Sequence, residues 1–448
     1  MSTDQAGDTL APGTAMLTDH YELTMVRAAL RSGVARRRAV FEVFARQLPS
    51  GRRYGVVAGA GRLLDALERF HFGDADLEFL QRNGIADDPT LDFLQAYRFS
   101  GSIWGYAEGD CYFPGSPILV VEGTFAEAVV LETLALSILN HDCAIASAAS
   151  RMVTAAGARP LIEMGSRRTH ARAAVAAARA AYIAGFTTTS NLRAGQEYGI
   201  PTSGTSAHAF TLVHDDERRA FAAQLDALGT GTTLLADTYD VPAAIRSAVE
   251  LAGPGLGAVR IDSGDLAAVA NEVRGQLDGL GAAKTRVILT GDLDEFSIAA
   301  LAADPVDGYG VGTALVTGSG APTAALVYKL VARTEAETAR GADPLLPVAK
   351  RSVGKPSRGG RKWAVRELDG AGTAVTELIR VTDAEPHDSP GERALLRPLV
   401  RDGEIVGREP LADARSRHQA ALAQLPSHAR QLSRGYPAIP TVFEPDTG

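Results

Sequence analysis

The stretch TTLLADTYDVPAAIRSAVELAGPGLGAVRIDSGDL (residues 232–266) holds one structural unit and the start of the next. TTLLADTYD (232–240) opens as a short apolar, β-branched run, the composition of a strand buried on both faces. PAAIRSAVELAG (242–253) reads as a helix, and AVRIDSGDL (258–266) begins another strand. The same alternation recurs from about residue 150. RPLIEMGSRR, GFTTTSN, GIPTSGTSAH, RVILTGDLDE and DGYGVGTAL read as strands, and ARAAVAAARAAYIAG reads as a helix between two of them. Strand then helix, repeated, predicts parallel βα units. Each run ends in polar, charged or Gly-rich residues, and an α/β barrel gathers its active site at the C-terminal ends of its strands. An open doubly wound sheet gives a similar pattern. The recurrence of functional residue types after nearly every strand favours the barrel.

Both flanks of this region read differently. Residues 1–15 are expected to be a disordered tail, and 16–125 to form the N-terminal part of an α+β domain. There TDHYELTMVRAALRSG reads as a helix, with Asp19 and Glu22 spaced as a capping box and Gly33 as its stop. Leu23, Val26 and Leu30 form its apolar stripe, and Tyr21 lies roughly opposite. AVFEVFAR, GSIWGYAEG and SPILVVEG read as strands, with helical stretches across 55–98. The barrel domain spans 126–325. Over 326–448, ALVYKLVAR, LLPVAKRS, RKWAVREL and TAVTELIRV are expected to return as antiparallel strands to the first domain, before a final helix, ADARSRHQAALAQL.

Composition sets limits on function. The 448 residues are 46% hydrophobic and 22% charged, with a formal net charge of −8. A core of this size needs neither disulfide nor structural metal. The acidic balance argues against a nucleic-acid or anionic-membrane surface, and leaves room for a small anion in a locally basic pocket. The two cysteines, Cys111 and Cys143, form no CxxC pair, which fits a reducing, cytoplasmic setting. The N-terminus has no apolar signal region. FAEAVVLETLALSILNHDCAIASAASRM is interrupted by Glu127, Glu132, His141 and Asp142, so it reads as a core helix rather than a membrane span.

Several strand ends carry candidate chemistry. EMGSRR (163–168) sets paired arginines at a strand end, where guanidinium forks bind phosphate or carboxylate; a solvated basic turn is the plainer alternative. In RIDSGDL (260–266), Arg260 and Asp262 share a strand face and can both enter the barrel mouth, as ligand groups or as a structural ion pair. LTGDLDE (289–295) and GYGVGTALVTGSG (308–320) are Gly-rich turns whose backbone N–H groups could cup phosphate, aided by the N-terminus of a following helix. SGTSAHAF (203–210) supplies Thr205 and His208. Taken alone, His208 reads as a core histidine, and His214 is at the wrong spacing for a shared zinc.

Taken in order, LTDHYELTM, FEVFAR, EMGSRR, GFTTTSN, GTSAHAF, RIDSGDL, LTGDLDE and GVGTALVT resemble the nicotinate phosphoribosyltransferase family from about residue 16 to the C-terminal helix. The resemblance implies an irregular α/β barrel, type II phosphoribosyltransferase-like, with an α+β domain built from both chain ends. It implies synthesis of nicotinate mononucleotide and pyrophosphate from nicotinate and phosphoribosyl pyrophosphate, with Mg2+ and with coupled ATP hydrolysis, in NAD biosynthesis. It further implies a homodimer with shared active sites and no nucleic-acid or membrane partner. By the same resemblance Tyr21 packs on the nicotinate ring from a neighbouring subunit. Thr205, Arg260 and Arg167 contact nicotinate, and Asp262 helps hold base and ribose. Gly291, Asp292, Gly312 and Thr313 line the phosphoribosyl site, and His208 is the histidine phosphorylated by ATP. The chemistry fits. The pyridine nitrogen carries a free lone pair and needs no general base, whereas an imidazole can accept a phosphoryl group as a nucleophile.

Two departures qualify the resemblance. Many relatives carry a Gln-Gly-Pro-Asp-type insertion after the paired arginines, and here RRTHARAAVAAARAAYIAGF runs directly on, leaving His170 without a role. The relative that takes nicotinamide places an acid where this chain has Asn191, and the absence of that acid favours nicotinate. Quinolinate phosphoribosyltransferase, a silent binding paralogue and an unrelated sugar-phosphate barrel are the rivals. None of them explains Tyr21, His208 and Arg260 together.

Overall fold

The computed structural model describes residues 13–337, 343–350 and 357–444, and the statements below concern these. Residues 1–12 of the expected tail lie outside the described residues. Packing begins at once after them: the Thr14 hydroxyl donates to Ala66 O (2.5 Å) and Ala15 is fully buried. The chain forms two compact units. One runs through His141 and resumes over Ala324–Ala429 and from Gly435; the other is Asp142–Thr323 with Arg430–Arg434. The first division thus falls at 142, not at 126, inside the long Glu132–Ala156 helix. No turn residue marks that position, so the sequence pattern did not signal it. The segment Phe125–Ala156 is long and apolar enough to cross a membrane, yet 67% of its most apolar window is buried within the protein.

The 142–323 unit is the α/β barrel, built on a curled, half-barrel parallel sheet. Its six strands lie in the order Thr188–Thr189, Leu161–Glu163, Gly308–Val311, Arg286–Leu289, Ala258–Ile261, Thr233–Leu235. Every neighbouring pair is parallel. Val259 and Ile261 are fully buried, and the intervening Arg260 takes the opposite face. Strand-to-helix turns end on caps that accept orphan N–H groups. Asp240 accepts from Ala243 (2.8 Å), Asp265 from Ala268 (3.3 Å), and Asn191 from Ala194 (2.9 Å). His170 caps the Ala171–Ala184 helix through Nδ1, which accepts from the Arg172 N–H. Asp265, His170 and Asn191 therefore have local structural work. GIPTSGTSAH differs from expectation: only the Thr189–Thr202 bridge forms, and residues 203–207 are irregular before the His208–Leu212 helix. After Ile200 the segment lacks apolar alternation, and its Ser and Thr side chains compete with a backbone ladder.

The other unit takes strands from both chain ends. Arg38–Ala45 lies between Leu119–Thr124 and Leu326–Arg333, all antiparallel, and Ser102–Tyr106 pairs with Leu396–Arg401. Lys362–Leu368 and Ala374–Val381 do not complete this sheet. They form a second, four-stranded sheet with Glu392–Ala394 and Thr441–Phe443. LLPVAKRS contributes only Leu346–Pro347; its last two residues lie outside the described ones. The His20–Ser32 helix starts on the expected Asp19–Glu22 capping box and stops at Gly33 (φ 74°). Glu22 is also fully buried, accepting from the Thr133 N–H (2.7 Å) and hydroxyl (2.6 Å). Burial pushes its carboxyl up to about 7, against the pull of those donors.

Arg366 and Glu377, both with wholly buried side chains, pair on neighbouring strands of the four-stranded sheet. Glu377 also accepts from the Tyr106 hydroxyl (2.8 Å) of the seven-stranded sheet, and Arg366 donates to Cys111 O (2.7 Å). Because Cys111–Tyr112 pairs with Gly55–Val56 in a two-stranded sheet of its own, one charge pair ties three sheets. Arg366→Leu strands a buried carboxylate and is expected to destabilise this unit by about 3–5 kcal/mol. Glu377→Leu added to it should recover much of that. Both effects are readable by denaturant titration of Trp104 and Trp363 fluorescence.

Candidate active site

Parallel strands all end on one edge of their sheet, and the polar residues at the C-terminal ends gather there. Met164, Arg167 and Arg168 follow the Leu161–Glu163 strand. Arg260 and Asp262 come from Ala258–Ile261 and its end, and Thr290, Gly291 and Asp292 from the end of Arg286–Leu289. With Gly310, Gly312 and Thr313 they line a cavity of ≈ 150 Å³. Seven of the site residues expected from sequence therefore share one cavity: Arg167, Arg260, Asp262, Gly291, Asp292, Gly312 and Thr313.

Arg260 is the hub. Its Nε donates to the Thr290 hydroxyl (2.9 Å), one Nη to the Thr205 hydroxyl (2.7 Å), and the other to Asp262 Oδ1 (3.3 Å). Thr290 in turn donates to Asp262 Oδ1. Thr205 thus reaches the cavity through Arg260. The Arg260 side chain is 12% exposed, so its charge is partly desolvated and directional.

His208 stands on the same network one step away. Its Nδ1 meets the Thr238 hydroxyl (3.1 Å), and its Nε2 lies 3.9 Å from Asp237 Oδ1. Asp237 Oδ2 accepts from the Asp262 N–H (2.8 Å) and the Ser263 hydroxyl (2.7 Å). The Asp237 carboxylate therefore connects the histidine to the cavity wall. The His208 side chain is 42% exposed, which removes the reading of a core histidine.

The glycine turns work by close approach. Gly291 has φ +117°, and a Cβ there would fall 2.6 Å from Asp262 O. Asp292 follows at φ 47°, a left-handed conformation that Asp adopts more readily than most residues. A Cβ on Gly310 would meet Thr290 Cγ2 at 2.6 Å and Met164 Sδ at 2.7 Å, so this glycine forms the floor. The helices after the turns are short, Glu295–Ala300 and Thr313–Val316. A macrodipole needs length, so positive field comes from Arg167, Arg168 and Arg260 rather than from helix ends. Beneath Arg167, Glu163 is buried and accepts from the Gly165 N–H (2.5 Å) and the Thr189 hydroxyl. Burial raises its pKa against these donors. Asn191 donates to the Ser166 hydroxyl (2.9 Å), bracing the same turn.

Tyr21 belongs to the other unit, with its ring 43% exposed on the helix face opposite buried Leu23 and Val26. Burial and the nearby carboxylates of Glu132 and Glu22 push its phenol up to about 12, so it stays protonated. Sequence reading missed Asp237, Thr238, Thr290, Met164 and Gly310, and had Arg168 only as one of the paired arginines. Asp237 carried no distinguishing signal, because an aspartate between a strand-like run and a helix reads as an ordinary cap.

Known proteins with similar sequence and structure agree with one another. Residues 16–140 match the model of the nicotinate phosphoribosyltransferase (NAPRTase) N-terminal domain. A nicotinate phosphoribosyltransferase of Mycobacterium tuberculosis, pncB1, is 57% identical over 95% of this chain and 94% of its own length. The crystal structure of human nicotinic acid phosphoribosyltransferase superposes with a TM-score of 0.81 at 27% identity, covering 96% of this chain and 97% of that one. That of a nicotinate-nucleotide pyrophosphorylase from Pyrococcus furiosus gives 0.73 at 25% identity, covering 93% and 97%.

Gly310→Ala tests the cavity floor. The new methyl must displace Thr290 or Met164, which is expected to cost about 1–3 kcal/mol by overpacking. Because Thr290 braces Arg260 and Asp262, calorimetric affinity for pyrophosphate should fall with the stability.

Proposed function

The chain belongs to the nicotinate phosphoribosyltransferase family, and from that premise we propose how its residues carry the reaction. Nicotinate and phosphoribosyl pyrophosphate become nicotinate mononucleotide and pyrophosphate, a step of NAD biosynthesis. The pyridine nitrogen attacks the anomeric carbon, the carbon–oxygen bond to pyrophosphate breaks, and pyrophosphate leaves with the bonding pair. The observation that carries this assignment is Arg260, a fixed guanidinium at a strand end, braced by Thr205, Thr290 and Asp262. It is suited to the carboxylate of nicotinate. Asp262 is suited to the ribose hydroxyls, and Arg167 and Arg168 to the anionic ends of both substrates. Gly291, Asp292, Gly312 and Thr313 admit the phosphoribosyl phosphate by backbone approach. Tyr21, exposed and protonated, is the ring offered to nicotinate in a homodimer that shares its sites.

ATP enters through His208. With Nε2–H turned to Asp237, the Nδ1 lone pair attacks the terminal phosphorus of ATP, and ADP leaves. Asp237 balances the ring cation that results, and the small neighbours Ala207 and Ala209 leave room for the phosphoryl group. The added charge then favours the conformation that binds phosphoribosyl pyrophosphate tightly. Mg2+ supplies charge neutralisation to the pyrophosphate. Among the described residues no group of three His, Cys, Asp or Glu side chains could hold a metal. Asp262 and Asp292, both lining the cavity, would hold the ion together with substrate oxygens. Cys111 and Cys143, buried and in no disulfide, suit a reducing cytoplasm.

The decisive assay supplies labelled nicotinate or nicotinamide with phosphoribosyl pyrophosphate and magnesium, with and without ATP. Nicotinate is expected to be converted, faster with ATP, and nicotinamide not. No mononucleotide from nicotinate under any condition would sink the assignment. Arg260→Met should raise KM for nicotinate roughly 10- to 100-fold, the worth of a charge-assisted hydrogen bond. His208→Ala should lose both incorporation of label from [γ-32P]ATP and the gain that ATP gives.

A further inference from the structure

The two arginines on the turn after Leu161–Glu163 are held differently from Arg260. Arg167 and Arg168 are exposed and line the cavity, and among the described residues neither side chain has a hydrogen bond or ion pair within the protein. Their aim is therefore set by the backbone that carries them, and that backbone is fixed at successive points. The Met164 N–H donates to Val311 O (2.8 Å), the Gly165 N–H to Glu163 Oε1 (2.5 Å), and the Arg168 N–H to Gly165 O (2.8 Å). A Cβ on Gly165 would fall 3.2 Å from Gly312 O and onto Val316 Cγ1, so the turn lies directly on the segment that follows Gly308–Val311. Glu163 anchors this turn. It is fully buried, and among the described residues it meets no cation: its donors are the Gly165 N–H and the Thr189 hydroxyl. From Thr189 a chain of bonds returns to the same turn. The Thr189 hydroxyl oxygen accepts from the Asn191 N–H (3.0 Å), and Asn191 Nδ2 donates to the Ser166 hydroxyl (2.9 Å). Asn191 Oδ1 accepts from the Ala194 N–H (2.9 Å), which fixes the way its amide points. The circuit thus closes over two strand ends and holds residues 165 and 166, immediately before the arginines.

We propose that Glu163 is a positioning residue for the paired arginines, acting through the Gly165 N–H and, by way of Thr189 and Asn191, through Ser166, so that two free guanidinium groups stay at the cavity wall for an anionic ligand. This rests on the reading that Arg167 and Arg168 take the anionic ends of the substrates. Burying a carboxylate away from any cation costs free energy. Here the carboxylate does what a neutral amide does less well: both of its oxygens accept, so donors from two strand-end turns are satisfied by one side chain. Arg260 needs no such support from its backbone, because Thr205, Thr290 and Asp262 hold its side chain directly. Arg167 and Arg168 keep their side chains uncommitted, and the buried circuit supplies the order that side-chain partners supply to Arg260.

The test is calorimetric titration of the full chain with inorganic pyrophosphate and magnesium, beside the steady-state KM for phosphoribosyl pyrophosphate. Glu163→Ala is expected to weaken pyrophosphate about tenfold and to raise KM by a similar factor, with kcat kept within about twofold. Loss of folded protein alone lowers kcat and the binding stoichiometry and leaves affinity and KM where they are. Glu163→Gln retains an acceptor for the Gly165 N–H and should stay within about threefold of wild type. Asn191→Ser keeps a good helix cap but is too short to hold Ser166, and should weaken pyrophosphate about threefold. It decides the outcome if Glu163→Ala does not fold. Wild-type pyrophosphate affinity in folded Glu163→Ala overturns the proposal. So does a Glu163→Gln protein as weak as Glu163→Ala, or an Asn191→Ser protein that binds as wild type does. Arg167→Met combined with Arg168→Met separates the two readings. If that double variant binds pyrophosphate as wild type does, the anion role of the arginines fails and the proposal with it. If it binds weakly while Glu163→Ala does not, the positioning role alone fails.

Discussion

Arg260, Asp262 and Thr290 form the arrangement on which the site depends. A guanidinium entering a sheet interior must be paired, and here four acceptors from three segments meet it. Asp262 answers the arginine on its own strand end, Thr290 answers both from the next strand, and Thr205 reaches in from the irregular segment before His208. The same contacts that make the charge tolerable also fix its direction. A guanidinium of fixed direction at the cavity follows from that pairing.

Parallel topology supplies the rest. A parallel strand cannot return by a tight turn, so each strand ends on the same edge and a helix carries the chain back. Residues far apart in sequence, Met164, Arg260, Thr290 and Gly310, therefore converge on one ≈ 150 Å³ cavity. Gly310 and Gly291 are needed because neighbouring atoms occupy the places their Cβ atoms would take. The helices behind the glycine turns are short, so the positive charge at the cavity is that of the arginines.

Much of this was legible in the chain. Strand and helix alternation appears as apolar runs that end in caps, and Asp19, Glu22 and Gly33 bounded their helix as their chemistry requires. Seven cavity residues were named through the family resemblance; their residue types at strand ends alone fit turns and caps as well as ligand sites. Asp237 was not, since one aspartate before a helix reads as an ordinary cap; Asp240, three residues on, is that cap. Residues 203–207 were misread because β-branched and small polar residues suit both strand and loop. The fate of the C-terminal strands was also hidden, because pairing partners for Lys362–Leu368 are set by long-range register and not by local pattern.

By itself the sequence determined the class of fold, the order of its units and the residue types able to handle phosphate, carboxylate and ribose. These follow from local periodicity and from the fixed chemistry of each side chain. Only the tertiary structure decided which of them meet. It moved His208 from a candidate core residue to a partly exposed imidazole against a buried carboxylate. It gave Asp265, His170 and Asn191 to helix caps, and it set the Asp237 carboxylate between His208 and the Asp262 backbone. Proximity between distant residues sets charge state and direction, and a one-dimensional pattern does not encode it.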